Sequence, residues 1–202
     1  MDAELSRLLS RAAEILRRGG VIIHPTETVY GLAAVAEFPE ALARIRAIKG
    51  REEEKPLLVL TDIWERAMPW IARVRPEERL LMEEELPLTI LFDPSPLVPP
   101  VLRGTSPYIG IRRTTSPLVR RLIDETGYLL ASTSANVAGE KPPTRVAEIT
   151  PEIRQHVDFI VDHDEVAWGV PSTVVRIGEN GQLQIIRPGA VSQEQLMALL
   201  EE

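Results

Sequence analysis

The run Val21-Ile22-Ile23-His24-Pro25-Thr26-Glu27-Thr28-Val29-Tyr30-Gly31-Leu32 decides how this chain is read. Val21-Ile22-Ile23 is a short apolar strand, and the residues after it set two hydroxyls, a carboxylate and a phenol just past its end. Side chains alternate faces on extended backbone, so Thr26 and Thr28 are expected on one side and Glu27 on the other. Gly31 allows a close backbone approach or a positive φ. A plain strand–turn connection whose threonines bond to nearby backbone fits these residues as well. Segments further along the chain separate the two readings.

Working outward, Leu5, Leu8, Leu9, Ala12, Ile15 and Leu16 share one face of a helix over 3–18, which Gly19-Gly20 end. A helix is expected over 39–48 and a strand over 56–60. Residues 62–86 read as helix in two pieces broken by Pro69 and Pro76, and 88–92 as a strand. The proline-rich stretch 94–107 is expected to lack regular structure. A strand follows at 108–111. Ser116-Pro117 opens a helix that Gly127 closes, with an N-cap serine, a first-turn proline and a glycine just past the end. Strands at 129–132 and 159–162 flank a short helix opened by Thr150-Pro151. Residues 172–177 and 182–187 form a hairpin around Gly178-Glu179-Asn180-Gly181. Ser192 and Gln195 make a capping box for the last helix. Helices alternating with strands, plus one hairpin, predict an α/β fold with a mixed sheet covered by helices. A length of 202 residues suits a single domain over 1–202.

With 44% hydrophobic and 26% charged residues, the chain reads as globular rather than disordered. No apolar run reaches the roughly 18 residues that span a bilayer. Met1-Asp2-Ala3-Glu4-Leu5 lacks the basic and apolar regions of a signal peptide. A cytoplasmic protein with no membrane partner is expected. The absence of cysteine excludes disulfides, thiolate metal sites and cysteine nucleophiles. A net charge of −7 argues against a dedicated nucleic-acid binder. Of the 23 basic residues the lysines are Lys49, Lys55 and Lys141, the rest arginine. An ammonium is a compact point charge and a guanidinium a planar fork, so lysines kept in an arginine-rich chain point to sites that need the former.

The segments that decide between the readings are Lys49-Gly50-Arg51, Lys55-Pro56-Leu57, Ser132-Thr133-Ser134-Ala135-Asn136, Pro171-Ser172-Thr173-Val174-Val175 and Arg187-Pro188-Gly189. Lys-Gly-Arg or Pro-Ser-Thr alone carries nothing. Together with Pro25–Leu32, in this order over about residues 20–191, they make the chain resemble the YrdC-like family in its short form. That family's fold, a twisted open α/β sheet with a central cavity, agrees with the pattern above. The resemblance implies a nucleotidyltransferase that makes threonylcarbamoyl-AMP and pyrophosphate from L-threonine, bicarbonate and ATP, for threonylcarbamoyladenosine modification of tRNA. It implies Mg²⁺ bound through the nucleotide, with no metal site in the protein. It places Lys49 and Arg51 as catalytic cations on the triphosphate. ATP contacts would come from Lys49, Arg51, Lys55, Ser134, Asn136 and Arg187, and the L-threonine pocket from Thr28, Arg112, Ser132 and Ser172. The implied partners are tRNA-modification proteins, with weak tRNA contact at most.

The residues themselves allow this chemistry. There is no GxxxxGK[ST] loop and no GxGxxG, so a nucleotide site is built differently. Adenylation has a carboxylate or carbamate attack the α-phosphorus while pyrophosphate leaves, and it asks mainly for charge stabilisation and positioning. Lys49 and Arg51 at a helix end also fit as cations complementing the macrodipole. Arg112 ends a strand and offers a bidentate fork to a carboxylate, whereas Arg113 points the other way, to the surface. His24 reads as a packing residue, and His163 with Asp162 and Asp164 as a solvated loop. No serine sits in a nucleophile elbow. The chain departs from the family pattern at Lys55, Leu60, Ala138, Pro142 and Glu85–Thr89. Two other functions fit the fold. One is a carbamoyl transferase using carbamoyl-adenylate, whose usual zinc-finger neighbours need cysteines that this chain lacks. The other is an RNA-binding paralogue without the activity, against which the intact Lys49–Arg51 and Ser134–Asn136 segments and the −7 charge count.

Overall fold

The computed structural model describes residues 3–50, 55–163 and 168–201. Among them nine strands join one mixed sheet: β1 (Ile22–His24), β2 (Gly31–Val35), β3 (Leu58–Thr61), β4 (Leu88–Phe92), β5 (Ile109–Arg113), β6 (Leu130–Ser134), β7 (Phe159–Ile160), β8 (Thr173–Ile177) and β9 (Leu183–Arg187). Their order across the sheet is β7-β1-β2-β6-β3-β5-β4-β8-β9. The β1–β7, β3–β5 and β4–β8 pairs are parallel and the other neighbours antiparallel. The helices are α1 (Ala3–Arg17), α2 (Pro39–Ile48), α3 (Trp64–Ala67), α4 (Pro76–Glu83), α5 (Pro100–Arg103), α6 (Pro117–Thr126), α7 (Pro151–Arg154) and α8 (Gln193–Glu201).

Period-two alternation sends the strand residues into two apolar layers. Ile22, Ala33, Val35, Leu60 and Leu130 pack with Leu9, Ala12, Ala13 and Leu16 of α1 and with Leu118, Val119, Leu122 and Ile123 of α6. Ile23, Leu32, Ala34, Val59, Ile90, Ile111 and Val175 face the other way, toward Ala41, Leu42 and Ile45 of α2, Leu81 of α4 and Leu196 of α8. Fully burying one such leucine contributes on the order of 2 kcal/mol. The α1–α6 pair covers only the first part of its face, where α1 touches β1, β2 and β7. Further across, the alternate residues Arg112 and Gly110 of β5, Thr89 and Leu91 of β4, and Val174 of β8 line a cavity instead. This uncovered half-face is what positions the site.

Locally encoded features form as expected. The Ser116 hydroxyl accepts from Val119 N at 3.3 Å, and Gly127 ends α6 in the left-handed region at φ 76°. Ser192 and Gln195 cap α8 reciprocally, at 2.9 and 3.2 Å. Three stretches differ from expectation. Residues 31–35 form the interior strand β2, between β1 and β6, although alanine is a poor strand former. Both faces of β2 are buried, and tertiary packing overrides propensity there. Pro76 starts α4 as its first residue instead of interrupting a helix, with residues 71–75 outside any helix. Within the proline-rich stretch, Pro100 likewise opens the single turn α5. Proline lacks only an N–H that the first helical turn leaves unbonded anyway.

Candidate active site

A cavity of about 290 Å³ lies on the uncovered half-face, roofed by the β1–β2 connection and by Pro171-Ser172. Its polar lining includes Thr28, Arg112, Ser132, Ser134, Ser172 and Arg187, and its apolar lining Leu58, Leu91, Val174 and Ile186.

One end is built around Arg112, which is 4% exposed. The Thr26 hydroxyl donates to Val29 O at 2.7 Å and accepts from the Thr28 and Val29 amides at 3.1 and 3.2 Å. Its proton is thereby spent, so Thr28 donates in the 2.8 Å contact between the two hydroxyls. The Thr28 oxygen then accepts from Arg112 Nη1 at 3.0 Å. Glu27, 5% exposed, places Oε1 3.2 Å from Arg112 Nε and accepts from the Thr114 hydroxyl on Oε2 at 2.7 Å. The Arg112 Nε–H is turned off the line to Oε1, so this pair is a Coulombic contact rather than an aligned hydrogen bond. Thr26 and Thr28 do share a side. Glu27 is not opposed to them, however; it converges on the same guanidinium, because residues 25–30 lie outside any strand and bend at 27–29.

Gly31 serves close approach. A Cβ there would stand 2.9 Å from Ser132 Oγ and 3.2 Å from Thr133 O. Behind it, His24 is fully buried, and burial holds its imidazole down at about 4. Its Nδ1 lies 3.0 Å from Pro25 O, an acceptor only, so Nδ1 carries the proton and Nε2 is bare.

The polar groups of the other end hold one another. Lys49 follows the last residue of α2 and is 3% exposed. Its Nζ donates to Ser134 O at 2.5 Å and lies 3.4 Å from both Ser134 Oγ and Asn136 Oδ1. Asn136 Nδ2 donates to Val137 O and Glu140 O. Across the cavity, Arg187 Nη2 donates to Ser172 O at 2.8 Å, and Ser172 Oγ lies 2.8 Å from Thr89 Oγ1.

The structure therefore brings Thr28, Arg112, Ser132, Ser134, Ser172 and Arg187 into one cavity. Lys49 and Asn136 sit behind Ser134 rather than in the lining, and Lys55 is exposed outside it. Arg51 lies outside the described residues. Lys49 and Arg187, both expected on the triphosphate, stand on opposite sides, with β3, β5, β4 and β8 between the Lys49 contact on β6 and Arg187 on β9. Sequence reasoning missed Thr89, Thr114 and Tyr108, whose ring lines the cavity beneath Arg176 at 4.3 Å. A polar Thr89 and a Gly110 at alternate positions of otherwise apolar strands were the available signal.

An uncovered half-face with a buried arginine and converging hydroxyls has the concave, mixed apolar and polar make-up of a small-molecule site on an α/β domain. The chain belongs to the Sua5/YciO/YrdC family, whose model, described as telomere recombination, matches residues 14–189. It is 33% identical to a Bacillus subtilis protein named threonylcarbamoyl-AMP synthase, over 95% of this chain and 56% of that protein. It is 32% identical to one of the same name from Chromohalobacter salexigens, over 85% of this chain and 93% of that protein. The fold superposes on the crystal structure of Pyrococcus abyssi Sua5 complexed with L-threonine with a TM-score of 0.87, at 30% identity, covering 95% of this chain and 56% of that one. The chain thus spans little more than half the length of some of these relatives.

Proposed function

We propose that the protein is an L-threonylcarbamoyladenylate synthase, making threonylcarbamoyl-AMP and pyrophosphate from L-threonine, bicarbonate and ATP. The observation that carries this is the two-ended cavity. A buried guanidinium with a hydroxyl neighbour stands at one end and Ser134 backed by Lys49 at the other, with Arg187 and Ser172 on the far wall. The Pyrococcus abyssi neighbour, complexed with L-threonine, supports an amino acid as the ligand of such a cavity.

In this reading the threonine carboxylate takes the free edge of Arg112 beside Thr28, and Ser132 and Ser172 pair its hydroxyl. A site built to bond a hydroxyl rejects an analogue lacking it, because polar groups are then left unpaired. The phosphates lie at Ser134, backed by Lys49 and Asn136, with Arg187 across the cavity and Lys55 outside it; Arg51, expected to join them, lies outside the described residues. These cations neutralise charge that builds as pyrophosphate departs. No cluster of three or more acidic, His or Cys side chains gathers among the described residues. Mg²⁺ carried by the nucleotide would supply further charge neutralisation at the phosphate oxygens. The product serves threonylcarbamoyladenosine modification of tRNA through partner proteins, in the cytoplasm. No helix among the described residues is long and apolar enough to cross a membrane.

Pyrophosphate release followed with ATP present tests the assignment. Turnover requires L-threonine and bicarbonate together, and L-valine is a poor substitute. Equal turnover with either substrate omitted overturns the reading in favour of a nucleotidase.

A further inference from the structure

A buried arginine needs a counter-charge before any ligand arrives, since an unpaired charge in the interior is strongly destabilising. Here Glu27 supplies it, with Oε1 3.2 Å from Arg112 Nε and both side chains about 5% exposed or less. The carboxylate is not free to swing away. Its Oε2 accepts from Thr114 Oγ1 at 2.7 Å, and that hydroxyl in turn accepts from the Ser116 amide at 3.2 Å. Thr114 itself is fully buried, with its amide on Thr61 O. Arg112 thus gives one edge to Glu27 and one proton to Thr28 and presents what remains to the cavity. A second carboxylate arriving there meets an arginine already matched in charge, and a fixed anion on its far edge. Burial leaves that repulsion little screened. His24, beside this pair, is kept neutral by burial and adds no cation, and Arg187, which lines the same cavity, donates to Ser172 O.

We propose that Glu27 is a specificity-determining residue of the site. Its fixed negative charge makes the Arg112 subsite accept a ligand that brings its own positive charge, a zwitterionic amino acid, and reject an anion of the same shape that lacks the amine. The inference rests on the proposed function, which puts an amino-acid carboxylate at Arg112. It adds that the free amine is selected electrostatically, through a residue that acts behind the arginine.

Calorimetric titration of the full chain with L-threonine and with (R)-3-hydroxybutanoate, its deamino analogue, tests this. The wild type binds threonine at least tenfold more tightly than the analogue. Glu27→Gln keeps the shape and an acceptor for Thr114 but removes the charge. It narrows that preference about tenfold, chiefly by strengthening the analogue. Glu27→Asp, which keeps the charge, retains the wild-type ranking. A folded Glu27→Gln protein with the preference unchanged overturns the proposal and leaves Glu27 a scaffold residue. Where Glu27→Gln does not fold, the wild-type ratio decides, and equal affinity for the two ligands overturns it. A wild type that binds no threonine at all removes the proposed function, and this inference with it.

Discussion

The two ends of the cavity meet a charged ligand in opposite ways. Around Arg112 the groups are tied into one network before anything binds: Thr26 fixes Thr28, Thr114 fixes Glu27, and both hold the guanidinium. Around Lys49 and Arg187 the cations are occupied by carbonyl oxygens of Ser134 and Ser172. A phosphate arriving there has to replace those bonds. The first end is preorganised, so little ordering is left to offset binding. Under the proposed function the second would exchange partners, which suits a group whose charge changes during the reaction, because contacts formed late in the reaction raise kcat more than affinity.

The largest expected effect falls on the preorganised end. Arg112→Ala should weaken threonine binding by roughly 2–5 kcal/mol, the range for truncating one partner of a buried charge pair, with ATP affinity nearly unchanged. Separate calorimetric titrations of the two ligands read this directly. A variant that loses ATP and keeps threonine would show that the two subsites are interchanged and the comparison inverted.

The exchanging end should respond in kcat. Lys49→Ala is expected to lower it by about a hundredfold, as for removal of one preorganised electrostatic donor, with the circular dichroism spectrum unchanged. Lys49→Arg should recover little, because the fork cannot occupy the space of a point charge wedged against Ser134 and Asn136. If both variants stay within a few-fold of the parent in a pyrophosphate assay, Lys49 is a helix-end cation that only braces the end of β6. The phosphate subsite would then rest on Lys55, Ser134 and Arg187.

How much of this was readable beforehand follows the same division. Features written in neighbouring residues were legible: the α6 cap at Ser116, the α8 capping box and the β8–β9 hairpin, whereas the bend after β1, which turns Glu27 toward Arg112, was not. Arg112, expected at a strand end, is the last residue but one of β5 and lines the cavity. What was not legible depends on partners distant in the chain. Strand β2 is a run of small residues whose strand character comes from pairing with β1 and β6 on either side. Thr89 matters because β4 runs parallel to β8, which sets it beside Ser172. The burial of Lys49 needs α2 to end against β6, which nothing in the segment Lys49-Gly50-Arg51 announces.

A smaller effect tests whether the preorganised end is as dry as its network implies. His24 sits behind Gly31 and Ser132, and burial lowers it from the ordinary 6.5 to about 4. In the unfolded chain it takes a proton near its ordinary value, so below about pH 6.5 the unfolded form binds the extra proton and the folded form does not. Stability from this residue is therefore complete above that pH and is lost as pH falls through the folded value. Between pH 7 and pH 5 the loss should be roughly 2 kcal/mol. Other groups titrate over the same range, so the quantity to read is a difference between two proteins. Urea unfolding of the wild type and of His24→Gln at both pH values supplies it, with the variant's stability falling less by that amount. An equal fall in the two proteins would mean that His24 protonates as easily folded as unfolded. Water would then reach the space behind Gly31, and the contrast between a sealed end and an exchanging end would not hold.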